Sequence, residues 1–237
     1  KTFLLEPLGI EQLVLVPFNK NLASKSAETF VEEVLVKTLH AKHIAVGENF
    51  RFGRNREGDT STLKKIGASL GIKISIVPIV EDNHGRLSSS RVRKALNDGD
   101  LKHAKYLLKR PYTFRGTVEK GRGLGKKIGW PTANLKIDGR KFLPSLGVYA
   151  AWASIANKKE RFLAVMNMGP QPTIDPNSLS AVEVHLLDKE IDLLGHELII
   201  EPVQRIRLQK KFDNIEALSK QISSDAKLAK EILTQKL

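Results

Sequence analysis

Residues 120–134 read Lys120-Gly121-Arg122-Gly123-Leu124-Gly125-Lys126-Lys127-Ile128-Gly129-Trp130-Pro131-Thr132-Ala133-Asn134. Four glycines stand among four cationic side chains, and a loop without Cβ atoms lets backbone N–H groups come close to an anion. It matches neither the Gly-x-x-x-x-Gly-Lys-Ser/Thr phosphate loop nor Gly-x-Gly-x-x-Gly. Taken alone, the stretch reads equally as an anion cradle or as a surface hairpin. The Pro-Thr-Ala-Asn that follows adds a second feature. Thr132 and Asn134 are two residues apart on a proline-stiffened extended segment, so both side chains point to one side. They offer neutral oxygens of the kind magnesium takes from protein when water and nucleotide phosphates supply its other ligands. The competing reading of these four residues is a turn made of turn-formers.

The same stretch lies close to where the pattern of the chain changes. Upstream, short β-branched runs alternate with helical stretches: a strand at Leu13–Val16, a helix at Ala27–Leu39 with Phe30, Val31, Val34, Leu35 and Leu39 on one face, and a strand at Ile44–Val46. A helix at Ser61–Leu70 closed by Gly71 and a strand at Lys73–Val77 continue the rhythm, which predicts an α/β domain with a parallel sheet. Two short helices follow, Ser89–Leu96 and Leu101–Leu108, before Pro111. From Thr113 on, strands separated by Gly- and Pro-rich turns predict an antiparallel barrel or sandwich: Thr113–Glu119, Gly147–Ile155, Phe162–Met168, Ala181–Leu187 and Glu197–Arg207. A final helix begins near Asn214, with Asp213 and Glu216 spaced as a capping box and Ile215, Leu218, Ile222, Ala226 and Ala229 on one face. The division into domains is expected at 1–110 and 111–237.

Bulk properties exclude several function classes. The chain has 237 residues, 41% of them hydrophobic, enough for a proper core. The longest apolar run, Leu146–Ala156, is too short to span a membrane, and no secretory signal is present; a soluble, cytoplasmic protein is expected. Cysteine is absent, which removes disulfides, thiolate metal sites and cysteine nucleophiles. The histidines show no zincin spacing. A net charge of +13 favours an anionic partner. Between Lys102 and Lys127, nine basic residues face Glu119 alone, and polyphosphate is the smallest ligand that explains them. A nucleic-acid-binding module is the rival reading of that charge, but the aromatic content is only 6% and no stacking rings interleave the cluster. In Ala181–Leu187, period-two alternation puts Val182, Val184 and Leu186 on one face and Glu183 with His185 on the other. Glu183 is then either a solvent-facing strand residue or a carboxylate looking into a cleft.

The glycine-rich loop with Pro131-Thr132-Ala133-Asn134 resembles the signature of riboflavin kinases. So do Leu143-Pro144 with Gly147-Val148-Tyr149, Asn167-Met168-Gly169 with Pro172-Thr173, and Val182-Glu183-Val184-His185. The resemblance implies a six-stranded antiparallel barrel with a C-terminal helix that makes FMN from riboflavin and ATP. It implies ATP phosphates under Gly121, Gly123, Gly125 and Lys127, Mg2+ held by Thr132 and Asn134, and Glu183 as the base at the ribityl 5′-hydroxyl. Arg207 is implied on the flavin side. Two positions depart from the usual pattern: Leu194 stands before Gly195 where an aromatic is commoner, and Gln209 stands where Glu is usual. A flavin-binding regulator without turnover is the other outcome, against which Thr132, Asn134 and Glu183 are all intact.

Upstream, Gly47-Glu48-Asn49-Phe50-Arg51-Phe52-Gly53 and Leu87-Ser88-Ser89-Ser90-Arg91-Val92-Arg93 resemble the FMN adenylyltransferase half of bifunctional FAD synthases, a Rossmann-like nucleotidyltransferase. The resemblance places Asn49, Phe50, Arg51, Ser89, Ser90, Arg91 and Arg93 at the site that converts FMN to FAD. Serines at a helix start and arginines beside them suit phosphate. Asn49 replaces the usual Asp. The His-x-Gly-His loop of that superfamily does not occur in these residues, and the chain opens on Lys1 as if inside a domain. An incomplete first domain, an upstream segment and no adenylyl transfer from this polypeptide are therefore expected.

Overall fold

The computed structural model describes residues 2–121, 125, 128–169 and 181–235. Gly123 and Lys127 of the glycine-rich loop lie outside the described residues. The chain forms two compact units, Lys1–Leu87 and Ser88–Leu237.

In the first unit, β1 (His43–Gly47) and β2 (Lys73–Val77) pair in parallel, from His43 opposite Lys73 to Gly47 opposite Val77. The helix Thr60–Ser69 lies between them in sequence, which makes a βαβ crossover. Asp59 starts that helix: its carboxylate accepts from the Thr62 N–H at 2.8 Å and from the Ser61 and Thr62 hydroxyls. Those bonds hold the Asp59 carboxyl well below the usual carboxylate range. Leu63 and Ile66 on its inner face join Ala27, Val31 and Phe52 in a small buried cluster. The Leu13–Val16 strand expected from the sequence does not form. Those residues are 42–82% exposed, and among the described residues no strand pairs with them. An apolar run becomes a strand only when a neighbour satisfies its backbone groups. The helix expected at Ala27–Leu39 is α-helical only at Ala27–Thr29 and π-helical over Phe30–Thr38. Phe30, Val31 and Leu35 of the expected face pack into the cluster, Val36 joins them with the wider winding, and Leu39 is left exposed. A two-residue hairpin, β3 (Glu81–Asp82) with β4 (Gly85–Arg86), was not legible in the sequence.

The second unit is a closed barrel. Its strands are β5 (Phe114–Glu119), β6 (Ala133–Lys136), β7 (Gly147–Ile155), β8 (Arg161–Gly169), β9 (Ala181–Leu186) and β10 (Glu197–Arg207). They close in the order β10-β5-β6-β9-β8-β7 with every pair antiparallel. The implied six strands are therefore present; β6, read beforehand only as an extended segment, is the sixth. Inward residues alternate along each strand, among them Phe114, Leu135, Tyr149, Met166, Val184 and Leu198. Strand β7 is buried on both faces, which is why its sequence is nearly all apolar: Tyr149 and Ala151 face the interior, while Val148 and Ala150 face the C-terminal helix. The helices Ser89–Asp98 and Leu101–Leu108 pack with the barrel, since Ala95, Leu96, Leu101 and Ala104 join its interior cluster.

The C-terminal helix runs over Ile215–Thr234. Its cap is Asn214, whose Oδ1 accepts from the Ala217 N–H at 2.8 Å, rather than Asp213. Its buried face runs through Asp225, Ala229 and Leu233, and Ile215 is 61% exposed. Asp225 is 3% exposed and accepts from Arg207 Nε at 2.9 Å, from Arg207 Nη2 at 2.8 Å and from Gln221 Nε2 at 2.9 Å. That pair bolts the helix to β10.

Two measurements check these points. Asp225→Ala leaves the Arg207 guanidinium without its buried counter-charge and should cost about 3 kcal/mol in urea unfolding of the barrel unit; a loss below about 0.5 kcal/mol contradicts the role. Asp59 has a lowered folded pKa, so its stabilisation is present above the unfolded value and fades as pH falls. The melting difference between wild type and Asp59→Ala should be constant above about pH 5 and shrink steadily below about pH 4.

Candidate functional site

The barrel turns its alternate side chains outward, and at one place those outward side chains are polar across four strands. The ladder sets Glu119 of β5 opposite Asn134 of β6, Asn134 opposite Glu183 of β9, and Glu183 opposite Asn167 of β8. Directly opposed residues on one face have Cβ atoms about 4.5–5.5 Å apart. Asn134, Glu183 and Asn167 are each half-buried, while their inward neighbours Ala133, Leu135, Val182, Val184, Met166 and Met168 fill the core. The period-two reading of β9 is therefore correct, and the register brings Glu183 beside Asn134.

The glycine-rich loop meets this row at two close approaches. A Cβ on Gly121 would fall 2.0 Å from Asn134 Nδ2 and 2.6 Å from its Cγ, so the nitrogen end of the amide meets that glycine. A Cβ on Gly125 would fall 2.2 Å from the Trp130 carbonyl oxygen and 3.3 Å from Thr132 Oγ1. The missing side chains at 121 and 125 let the backbone there approach the Asn134 amide and the Trp130 carbonyl. Turn bonds from the Ile128 and Trp130 N–H groups to the Gly125 carbonyl, at 3.1 and 2.8 Å, shape its second half.

His185 has a structural task. Its Nδ1 lies 2.7 Å from the Pro131 carbonyl, which can only accept, so Nδ1 carries the proton and donates. Trp130 packs edge-on to the His185 ring at 5.2 Å and places its Nε1 3.4 Å from Ser219 Oγ of the C-terminal helix. The entry to β6 is thus held from two sides. Arg207 is occupied by Asp225 and by the Leu208 carbonyl, and its guanidinium lies 5.7 Å from the Phe212 ring. Asn167 and Gln209 were quoted from the sequence without a role; strand alternation in β8 was the signal that Asn167 shares the face of Glu183.

A divalent cation fits the residues present. Thr132 and Asn134 supply neutral oxygens under a glycine cradle that a Cβ would fill, with one carboxylate beside them. Among the described residues no group of three His, Cys, Asp or Glu side chains could hold a metal by itself.

In the first unit Phe50 stacks on Phe52 with ring centroids 5.3 Å apart. With its amide oxygen turned to Arg86, Asn49 accepts from both Nη atoms at 2.9 Å, and Arg51 pairs with Asp59 at 3.3 Å. In the second unit Ser88 caps the helix that Ser89 begins, its Oγ accepting from the Arg91 N–H at 3.4 Å, and Arg93 Nη2 donates to Ser90 Oγ at 3.4 Å.

The class defined by this barrel and its outward polar row is that of riboflavin kinases: the pattern of that family matches residues 108–233, and the pattern of FAD synthetases matches residues 1–91. A bifunctional riboflavin kinase/FMN adenylyltransferase of Haemophilus influenzae is 35% identical over 236 residues, covering 97% of this chain and 74% of that protein. The protein of the same description from Escherichia coli K12 is 37% identical over 224 residues, covering 94% of this chain and 70% of its own length. A Streptococcus pneumoniae crystal structure described as a macrolide-efflux protein superposes with a TM-score of 0.83 at 33% identity, over 95% of this chain and 72% of that one. The chain belongs to the bifunctional riboflavin kinase/FMN adenylyltransferase family, whose work is flavin cofactor biosynthesis. Among the described residues no helix is long and apolar enough to cross a membrane.

Gly121→Ala drives a methyl group into the Asn134 amide. It should lower kcat/KM for Mg-ATP by about 100-fold, a loss of about 2.7 kcal/mol, with little change in the thermal midpoint of the barrel.

Proposed function

We propose that the barrel unit transfers the γ-phosphoryl group of ATP to the ribityl 5′-hydroxyl of riboflavin, with Glu183 as the base. The observation that carries this reading is the cross-strand pair of Asn134 and Glu183 under the glycine cradle. The ribityl oxygen forms the new O–P bond, the bond from the γ-phosphorus to the β–γ bridging oxygen breaks, and ADP leaves. The hydroxyl proton passes to a Glu183 carboxylate oxygen late in the step. A loose phosphoryl-transfer transition state asks the protein mainly to align oxygen and phosphorus and to neutralise charge. Backbone N–H groups of the glycine loop, including Gly121, Gly123 and Gly125, face the phosphates in this reading, and Lys127 adds positive charge. Thr132 and Asn134 would hold Mg2+, which when bound offsets the charge of the transferring group. His185 keeps the Pro131 carbonyl in place and so aims the Thr132 and Asn134 oxygens. Arg207 serves the flavin side through the helix that it anchors.

In this reading residues 111–237 serve the kinase step and residues 1–110 FMN adenylylation, to which the resemblance assigns Asn49, Phe50 and Arg51 in the first unit and, separately, Ser89, Ser90, Arg91 and Arg93 in the second. Riboflavin, FMN and ATP are the small-molecule partners, and the cytoplasm, where Mg-ATP is abundant, is the place of action. The cationic stretch from Lys102 to Lys127 serves polyphosphate in this reading rather than nucleic acid.

The test is direct. With riboflavin and Mg-ATP the chain should form FMN, separated by chromatography, and Glu183→Gln should lower kcat about 10²–10⁴-fold while leaving riboflavin binding within about twofold. Unchanged turnover in that variant defeats the assignment of the base. FAD formed in the same assay tests the second activity.

A further inference from the structure

On its outer surface the barrel carries a groove of about 420 Å3 between the helix Leu101–Leu108 and strands β7 and β10. In the order in which the strands close, β7 stands across the barrel from β6 and β10 across from β9, so the groove faces away from Asn134 and Glu183. Two of the nine basic residues between Lys102 and Lys127 line it: Lys102 and Lys105, three apart on the helix and therefore on one face, both exposed. Among the described residues neither is tied to an acid. The acid in the lining is Glu201, and Arg161 of β8 neutralises it at 2.9 Å. To reach Glu201, Arg161 crosses over Trp152 of β7, its guanidinium carbon 4.7 Å from the ring centroid. Leu101, Pro111 and Val203 supply apolar surface between these two cationic walls.

We propose that this groove binds a mononucleotide, a planar heteroaromatic ring carrying a phosphate monoester. The two unpaired ammonium groups on one helix face suit the phosphate, since lysine acts on phosphate as a point charge. A bare phosphate would leave most of the groove to water, because each water takes only about 30 Å3 and small-ligand sites begin near about 300 Å3. A ring fills the remainder and covers the apolar residues. Arg161 is already drawn over Trp152 and fixed by Glu201, so little is lost in ordering it, and a guanidinium held in that way is a stacking partner for a planar ring. The cationic stretch is thereby divided between two anion sites: its glycine-loop end belongs to the kinase cradle, and its Lys102–Lys105 end to the groove.

The groove stands independently of Glu183, and binding rather than turnover tests it. The chain has two tryptophans, so in a Trp130→Phe variant the emission of Trp152 reports the groove directly. AMP titrated into that variant should change the emission saturably, with a Kd of about 10–100 µM. Adenosine, which lacks the phosphate, and ribose 5-phosphate, which lacks the ring, should each bind at least about tenfold more weakly. Lys102→Gln/Lys105→Gln should weaken AMP at least about tenfold. Lys158→Gln/Lys159→Gln removes the same charge from the exposed turn between β7 and β8 and should change the affinity less than about twofold. Gly121→Ala should also leave it within about twofold, which separates the groove from the kinase cradle. Calorimetry on the chain with both tryptophans should repeat the lysine contrast with AMP or with FMN, and the tighter of the two tells whether the ring is adenine or flavin. Four results overturn the proposal: no saturable binding of either compound up to about 1 mM, an affinity that survives the loss of Lys102 and Lys105, equal losses in both lysine pairs, or adenosine or ribose 5-phosphate binding as tightly as AMP.

Discussion

The register between β6 and β9 is the constraint on which the rest depends. Ala133 opposite Val184 and Leu135 opposite Val182 point inward; Asn134 opposite Glu183 points outward. A slip of one residue in either strand would bury an amide or a carboxylate in an apolar core and expose two aliphatic side chains, so the hydrophobic pattern that closes the barrel also fixes the polar pair. The precision of the site is therefore a by-product of the core. Gly121 and the bond from His185 to the Pro131 carbonyl then trim the approach of the loop to that pair.

The barrel has an outer surface all the way round, and its sides are used differently. Over β7 and β8 the outward residues Val148, Ala150 and Val165 are apolar and lie under Ala229 and Leu233 of the C-terminal helix, which Asp225 ties to Arg207 on β10. Over β6 and β9 the outward residues are polar. The same alternation thus gives one side that must be covered and one that can receive a ligand. Asn167 of β8 is joined to Gln209, just past β10, by a hydrogen bond of 2.7 Å.

In the first unit the cationic and amide groups singled out by resemblance are matched within the fold: Asn49 with Arg86, and Arg51 with Asp59 at the start of the βαβ helix. Such exposed pairs contribute little to stability. Family membership covers both units, through the riboflavin kinase pattern at 108–233 and the FAD synthetase pattern at 1–91.

The sequence by itself determined the class of each segment. Period-two runs with glycine and proline turns marked five barrel strands, local signals marked a helix pair read at Ser89–Leu96 and Leu101–Leu108, the first of which runs on to Asp98, and alternation alone put Glu183 on the outer face. These signals are local, because they follow from side-chain direction along a few residues. Only the tertiary structure decided that β6 is a strand, since four residues after a loop become one by finding Glu119 and Glu183 as neighbours. It likewise decided that Leu13–Val16 is not one, that the helix after Ala27 winds as a π-helix, and that Gln209 reaches Asn167 across 42 positions of chain. Pairing, winding against neighbours and the polarity of a shared amide are set by what lies opposite, and no residue carries that in its own propensity.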